Sequence, residues 1–268
     1  MYDSARRPSP WLSELSELVR YRDLLSLLVS KIIKTRYKRS FLGVAWTLLN
    51  PLLNMAVMTV AFSAVFQHAV AFYPVYVLTG LLWWNFFAQT TTYAMSSLVW
   101  GGGLLKRVYV PRTIFAVSSI AHGVINLFLS LGVLFTIMMI TGHPFHATLW
   151  FLPVPILLLA AFSLGVALFV STLAVFFVDV VDIFAVVLQA LFFLTPIIYP
   201  PEIFPAKYAW FMSVNPVNHL LETFRAPILR GVLPDATNLA VALASSVCML
   251  ALGWWSFTRK ADEFAYRL

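Results

Sequence analysis

The sequence predicts an all-α integral membrane protein: six transmembrane helices, an N-terminal amphipathic interface helix, and short re-entrant outer helices between spans 5 and 6. Three observations carry this prediction. Of 268 residues, 61% are hydrophobic and only 11% charged, against about 25% charged in soluble domains, so too few polar side chains exist to cover a water-facing surface. The apolar residues form six continuous runs, each near the roughly 20 residues a spanning helix needs. The basic residues fall mostly on one side of those runs.

Residues 1–40 form a polar, basic region without the short apolar core and small-residue site of a cleavable signal peptide. Ser9 suits an N-cap and Pro10 the first helical position. Leu12, Leu15 and Val19, then Leu25, Leu28, Val29 and Ile32, recur at helical spacing. This predicts an amphipathic helix in the membrane interface, running into the basic cluster Lys34, Arg36, Tyr37, Lys38 and Arg39.

The apolar runs are Phe41–Phe66, Pro74–Trp100, Thr113–Thr141, Phe151–Val178, Asp182–Tyr199 and Thr237–Thr258, which makes 41–258 the transmembrane domain and 259–268 a tail. Only helices and closed barrels satisfy their backbone groups in lipid. Continuous rather than alternating apolar character selects helices. The turn at Asp179–Asp182 separates spans four and five, with its two carboxylates as turn and helix-cap residues. With six spans, fifteen of the eighteen Lys and Arg residues share one side, and Lys207, Arg225 and Arg230 lie on the other. The bias places both termini and the loop holding Lys106, Arg107 and Arg112 in the cytoplasm.

The segment 199–236 lies outside. Pro200, Pro201, Pro205, Pro216, Pro227 and Pro234 divide it, yet it is rich in large apolar residues. Asn215 can cap a helix beginning at Pro216, with Val217, Leu220, Leu221, Phe224 and Ile228 on one face. Pieces this short cannot span, so they are expected to dip into the outer leaflet as a lid against protein or a water-filled cavity.

Chemistry-bearing motifs are sparse. Gly101–Gly103 lacks the Gly-Lys-Ser/Thr ending of a phosphate loop and reads as a flexible join. His143 and His146 are too few for a metal site. No metal and no catalytic residues are expected, and the single cysteine, Cys248, permits no intrachain disulfide. Asn54, Asn85, Gln89, His122, Asn126 and Gln189 fall inside apolar runs, where polar groups face the bundle interior, another subunit or a cavity. None is charged, which argues against a proton or ion relay. Trp83, Trp84, Phe86 and Phe87 lie deeper than an aromatic belt requires; they fit either a sugar-stacking conduit or helix packing. The net charge of +7 points to anionic headgroups or an acidic partner. A nucleic-acid partner is not expected, because the basic residues abut apolar spans.

Three stretches, in order, resemble one family. Arg36-Tyr37-Lys38-Arg39-Ser40-Phe41-Leu42-Gly43-Val44-Ala45-Trp46 followed by Asn50-Pro51-Leu52 is similar to the start of the first span in type-2 ABC exporter permeases for polysaccharides. Leu105-Lys106-Arg107-Val108-Tyr109-Val110-Pro111-Arg112 resembles that family's loop between spans two and three. Asn215-Pro216 through Phe224-Arg225 resembles its outer signature. The resemblance implies a bacterial inner-membrane permease for export of O-antigen, capsule or teichoic-acid polymers, working as a homodimer with two copies of a cytoplasmic ATP-binding subunit. ATP and Mg would be bound by that partner and no cofactor by this chain. It further implies that Lys34, Arg36, Tyr37, Lys38 and Arg39 meet the headgroup of a polyprenyl-pyrophosphate-linked glycan, and that Lys106, Arg107 and Arg112 couple to the ATP-binding subunit. Trp46, Trp83, Trp84, Asn85, Phe86, Phe87, Gln89 and Gln189 would line the conduit. Pro201, Phe204, Trp210, Asn215, Pro216, Phe224 and Arg225 would form the outer gate. Three readings compete with polysaccharide export. An exporter of drugs or small lipids would share the architecture. A membrane-embedded sugar transferase lacks clustered carboxylates here beyond Asp179 and Asp182. A secondary transporter is disfavoured by the absence of intramembrane charge and inverted repeats.

Overall fold

Helices account for every regular element among the described residues of the computed structural model, which are 14, 17–37, 43, 45–66, 70–100 and 111–267. In chain order, α1 is Arg22–Tyr37, α2 Ala45–Phe66, α3 Tyr73–Trp100, α4 Thr113–Thr141, α5 Pro153–Phe176, α6 Val180–Leu194, α7 Ala209–Val214, α8 Pro216–Arg225 and α9 Ala236–Arg267. Ser9 and Pro10 of the expected N-cap lie outside the described residues, as does Gly101–Gly103.

Among the described residues, four helical stretches are long and apolar enough to cross a membrane: Leu48–Val65, Thr113–Thr141, Ala147–Phe176 and Ala236–Ala261. This is an integral membrane protein. The long helix α3 falls short of them in hydropathy because Asn85, Gln89 and Thr90–Thr92 interrupt it, and burial explains how it tolerates Thr90 and Thr91. Eighteen of its 28 residues are buried. It packs against α4, α5 and α2, so protein surrounds Thr90 and Thr91, whereas Asn85 is half-buried and Gln89 and Thr92 are exposed. Helix α6 has only 15 residues, a rise of about 22 Å, less than the roughly 30 Å hydrocarbon core.

The main core is built from Trp83, Phe87, Leu134, Leu159, Phe224 and their neighbours around α3. A second cluster near the end of α9 joins Leu98, Ile114, Phe115, Phe257 and Phe264, with Leu18, Tyr21, Leu24, Leu25 and Leu28 of the N-terminal segment packed on it. Thus the apolar stripe of α1 rests on protein as well as facing outward. The most extensive helix pair is α5 with α9. Two glycines allow it: a Cβ on Gly253 would strike the backbone of Gly165, and one on Gly165 would strike the backbone of Met249. Ser246 Oγ donates to Leu158 O across the same seam at 3.0 Å.

Helices α5 and α6 are separated at Phe177–Asp179, as the two aspartates predict. Asp179 occupies the N-cap position, but its side chain makes no capping bond. Helix α9 runs past the predicted limit at Thr258 to Arg267.

Candidate functional site

Two polar stripes face each other across the α3–α4 contact. On α3, Asn85, Gln89, Tyr93 and Ser96 recur three or four residues apart; on α4, Ser119, His122, Asn126 and Ser130 do the same. That spacing places each set on one helical face. Gly123 lets the helices approach, since a Cβ there would meet the Thr90 methyl and come within 3.1 Å of the Phe86 ring. Between the stripes lies an open-sided cavity of about 690 Å³, bordered by Trp46 and Asn50 of α2 and by Ile32 of α1. No charged side chain lines it among the described residues.

Hydrogen bonds fix several of its walls. Asn126 Nδ2 lies 2.9 Å from His122 Nε2. Thr90 and Ser119 donate to the carbonyls of Phe86 and Phe115 at 2.7 and 2.8 Å, satisfying their protons within the helix and leaving acceptor lone pairs. The cavity sits toward the end of the bundle that carries α1, the start of α4 and the end of α3.

A second constellation lies at the opposite end of α3. Helix α6 stops at Leu194, and Thr195–Tyr199 is non-helical, which frees backbone carbonyls inside apolar protein. Four consecutive carbonyls find side-chain donors. Arg225 Nη1 donates to Pro196 O and Nη2 to Ile197 O at 2.5 and 2.6 Å. Tyr73 donates to Ile198 O and Tyr76 to Tyr199 O, both at 2.8 Å. Arg225 also reaches Tyr76 Oη at 3.0 Å and Tyr76 O at 3.2 Å, and its Cζ lies 3.9 Å from the centre of the Tyr76 ring. The guanidinium is only 3% exposed. Gly80 makes the socket, because a Cβ there would collide with Arg225 and with Ile197 O.

Helix α8 is held to this corner as its sequence predicts. Asn215 Oδ1 accepts from Val217 N at 3.0 Å, with Pro216 at the first helical position. Asn215 Nδ2 reaches Thr195 Oγ1 at 3.3 Å. Val217, Leu220, Leu221, Phe224 and Ile228 are all buried on one face. His219 bridges outward, with Nε2 2.8 Å from Ser213 O and Nδ1 2.6 Å from Asn238 Oδ1.

The residues singled out in the sequence separate into groups. Trp46, Asn85, Phe86 and Gln89 meet at the cavity. Trp83 and Phe87 do not line it; they are core residues with ring centroids 6.0 Å apart. Trp84 is buried edge-on against Phe192 at 5.5 Å. Gln189 is exposed on α6. Asn215, Phe224 and Arg225 are buried in the far corner, Phe204 stacks on Tyr199 at 6.3 Å, and Pro201 and Trp210 are exposed. Lys34 is exposed on α1 and Arg112 lies over Phe264 at 5.9 Å. Lys38, Arg39, Lys106 and Arg107 lie outside the described residues, as do the side chains of Arg36 and Tyr37. Sequence reasoning missed Ser96, Ser119 and Ser130, although their helical spacing to the amides was present as a signal. It also missed Tyr73, Tyr76 and Gly80 as the partners of Arg225.

A polar cavity between membrane helices, and a proline-broken corner pinned by a buried arginine, suit a membrane transporter. Comparison with known proteins agrees. The chain is 31% identical over 253 residues to the O-antigen export system permease protein RfbA of Myxococcus xanthus, covering 93% of this chain and 96% of that one. It is 27% identical over 244 residues to the protein of the same description from Klebsiella pneumoniae, covering 91% and 94%. It is 23% identical over 228 residues to the polysialic acid transport protein KpsM of Escherichia coli, covering 82% and 87%. The ABC-2 type transporter family matches residues 23–229, a stretch that includes both the cavity and the arginine corner, and the chain belongs to that family.

Proposed function

We propose that this chain is the permease subunit of an ATP-driven exporter that moves a lipid-linked polysaccharide across the bacterial inner membrane. The observation that carries the reading is the uncharged cavity of amides, hydroxyls and aromatic rings between membrane helices. Ion-coupled transport uses intramembrane charge, and no charged side chain lines this cavity among the described residues. Hydroxyl-rich cargo is what its side chains can hydrogen-bond. The relatives serve O-antigen export and polysialic acid transport, which supports the same cargo class. The chain is a transporter subunit rather than an enzyme.

In this reading α2, α3, α4, α5, α6 and α9 are the six spans, with α6 completed by the corner at Thr195–Tyr199. Both termini face the cytoplasm, consistent with the basic bias. The helices of 199–236 re-enter the outer leaflet as a gate. The working unit is a homodimer with two copies of a cytoplasmic ATP-binding subunit, which binds ATP and Mg. Uncovered apolar side chains support a second copy: Leu53, Val57 and Val60 on α2, and Ile183, Val186 and Val187 on α6. Lys34–Arg39 receive the pyrophosphate of the carrier lipid, and the Lys106–Arg112 loop couples to the partner.

Deleting the chromosomal copy tests the reading. Surface polysaccharide should disappear while lipid-linked glycan accumulates in the cytoplasmic leaflet. An unchanged surface glycan would refute it. Replacing Arg36, Lys38 and Arg39 together by Gln should reduce export while leaving co-purification with the ATP-binding subunit intact.

A further inference from the structure

We propose that the α2–α3–α4 cavity is a binding site for a single uncharged sugar unit of the exported glycan, contained within one copy of the chain. The proposal rests on the export reading above and specifies what it leaves open: where a sugar first meets the protein, and which sugars qualify.

The lining decides among ligand classes. Phosphate, pyrophosphate and acidic sugars require a cation or a nest of backbone N–H groups. Among the described residues the cavity has no Lys or Arg, and its α3 and α4 walls are helix interiors whose N–H groups are already bonded. A cationic ligand requires a carboxylate, and none lines it among the described residues. An acyl chain would cover the amides of Asn85 and Asn126 without offering them a hydrogen bond, which is costly. A neutral ring with several hydroxyl or acetamido groups answers both requirements. Its polar edges match amides projecting from two facing helices, and its apolar face matches the exposed rings of Trp46 and Tyr93. The volume of about 690 Å³ falls in the range of roughly 300–1,000 Å³ usual for small-ligand sites.

The arrangement also looks built for occupancy. Side chains that only join two helices are buried between them. Here Gln89 and Tyr93 are exposed and Asn85 and Asn126 half-buried, although Gly123 brings the two helices as close as they can come. The polar stripes therefore extend beyond the helix contact. The wall contributed by Trp46 and Asn50 stands at the start of α2, directly after the basic cluster that meets the carrier lipid in the export reading. In the export reading the site reads one uncharged sugar of the glycan, whatever charge the polymer carries elsewhere.

The test uses the full chain with its ATP-binding subunit in lipid nanodiscs and ligand-observed saturation-transfer NMR. The probes are methyl β-glucoside and methyl N-acetyl-β-glucosaminide, with sodium glucuronate as the charged comparison. Saturable transfer to one or both neutral glycosides and none to glucuronate is expected. Gln89→Leu and Asn126→Leu should each weaken binding about three- to tenfold, the loss of one or two modest hydrogen bonds. The unfolding temperature of each variant is measured beside its binding, and weakened binding at an unchanged unfolding temperature separates lost binding from lost fold. No transfer from either neutral glycoside, equal transfer from glucuronate, or undiminished transfer in both variants would each overturn the proposal. If gene deletion abolishes surface glycan while these variants bind and export as wild type, only the cavity assignment fails. If deletion leaves surface glycan intact, the export reading fails with it.

Discussion

Arg225 is the residue whose environment most constrains what can happen at the far end of the bundle. A buried cation ordinarily needs a carboxylate. This one is stabilised instead by the carbonyls of Pro196, Ile197 and Tyr76 and by the face and hydroxyl of Tyr76. The nearby Glu222 pairs with Arg230. The planar fork of guanidinium donors suits several divergent acceptors, which an ammonium does not. Arg225→Leu should therefore destabilise strongly, by about 3 kcal/mol or more, because unpaired buried acceptors cost about 1–3 kcal/mol each. Arg225→Lys should recover only part of this. Tyr76→Phe keeps the ring beneath the guanidinium and loses only its hydroxyl, so a cost of about 1 kcal/mol is expected. Thermal unfolding in detergent ranks the three, and a Tyr76→Phe effect as large as Arg225→Leu would contradict this account. Gly80→Ala should resemble Arg225→Leu rather than an ordinary helix substitution, because the new methyl enters the arginine socket.

Among the elements, the α5–α9 pair shows how two membrane helices hold together without a hydrophobic driving force. Small residues permit backbone approach, and dispersion with interhelical hydrogen bonds supplies the attraction. Gly165 and Gly253 face each other at the crossing. Gly253→Val should separate the helices and prevent accumulation of folded protein, as seen by size-exclusion of a fluorescent fusion. Gly132 on α4 has open space where a Cβ would stand, so Gly132→Ala should be neutral or stabilising by up to about 1 kcal/mol. A matching loss at both positions would show that burial at the crossing is not the cause. The N-terminus of α8 is a second element-scale test. Asn215→Ala removes the cap and should cost about 1–2 kcal/mol.

At the scale of the whole molecule, the uncovered apolar faces of α2 and α6 contrast with the nearly closed environment of α3. If those faces meet a second copy, single cysteines at Val57 or Val186 in a Cys248→Ser background should cross-link with a short bifunctional maleimide in native membranes. Leu157, exposed on α5, serves as the comparison and should not. Cross-linking at all three positions alike would indicate random collision rather than a defined dimer.

The amino-acid sequence by itself determined the membrane character, the helical class, the break at Asp179 and the capped helix at Asn215-Pro216. These follow from local rules: apolar run length, backbone satisfaction in lipid, and capping chemistry. It also flagged Asn85, Gln89, His122 and Asn126, because polar groups stand out in an apolar run. It did not reveal that these four converge on one cavity while Gln189 faces away on α6. Nor did it separate Phe86, which lines the cavity, from Trp83 and Phe87, which fill the core. One helical turn decides between those fates, and only the packing of α3 against α4 and α5 sets that rotation. The partners of Arg225 were equally invisible, since Tyr76 lies 149 residues away and nothing local announces the pairing. Local chemistry fixed which segments are helices. The tertiary structure decided which of their faces meet, because that depends on contacts distributed over the whole chain.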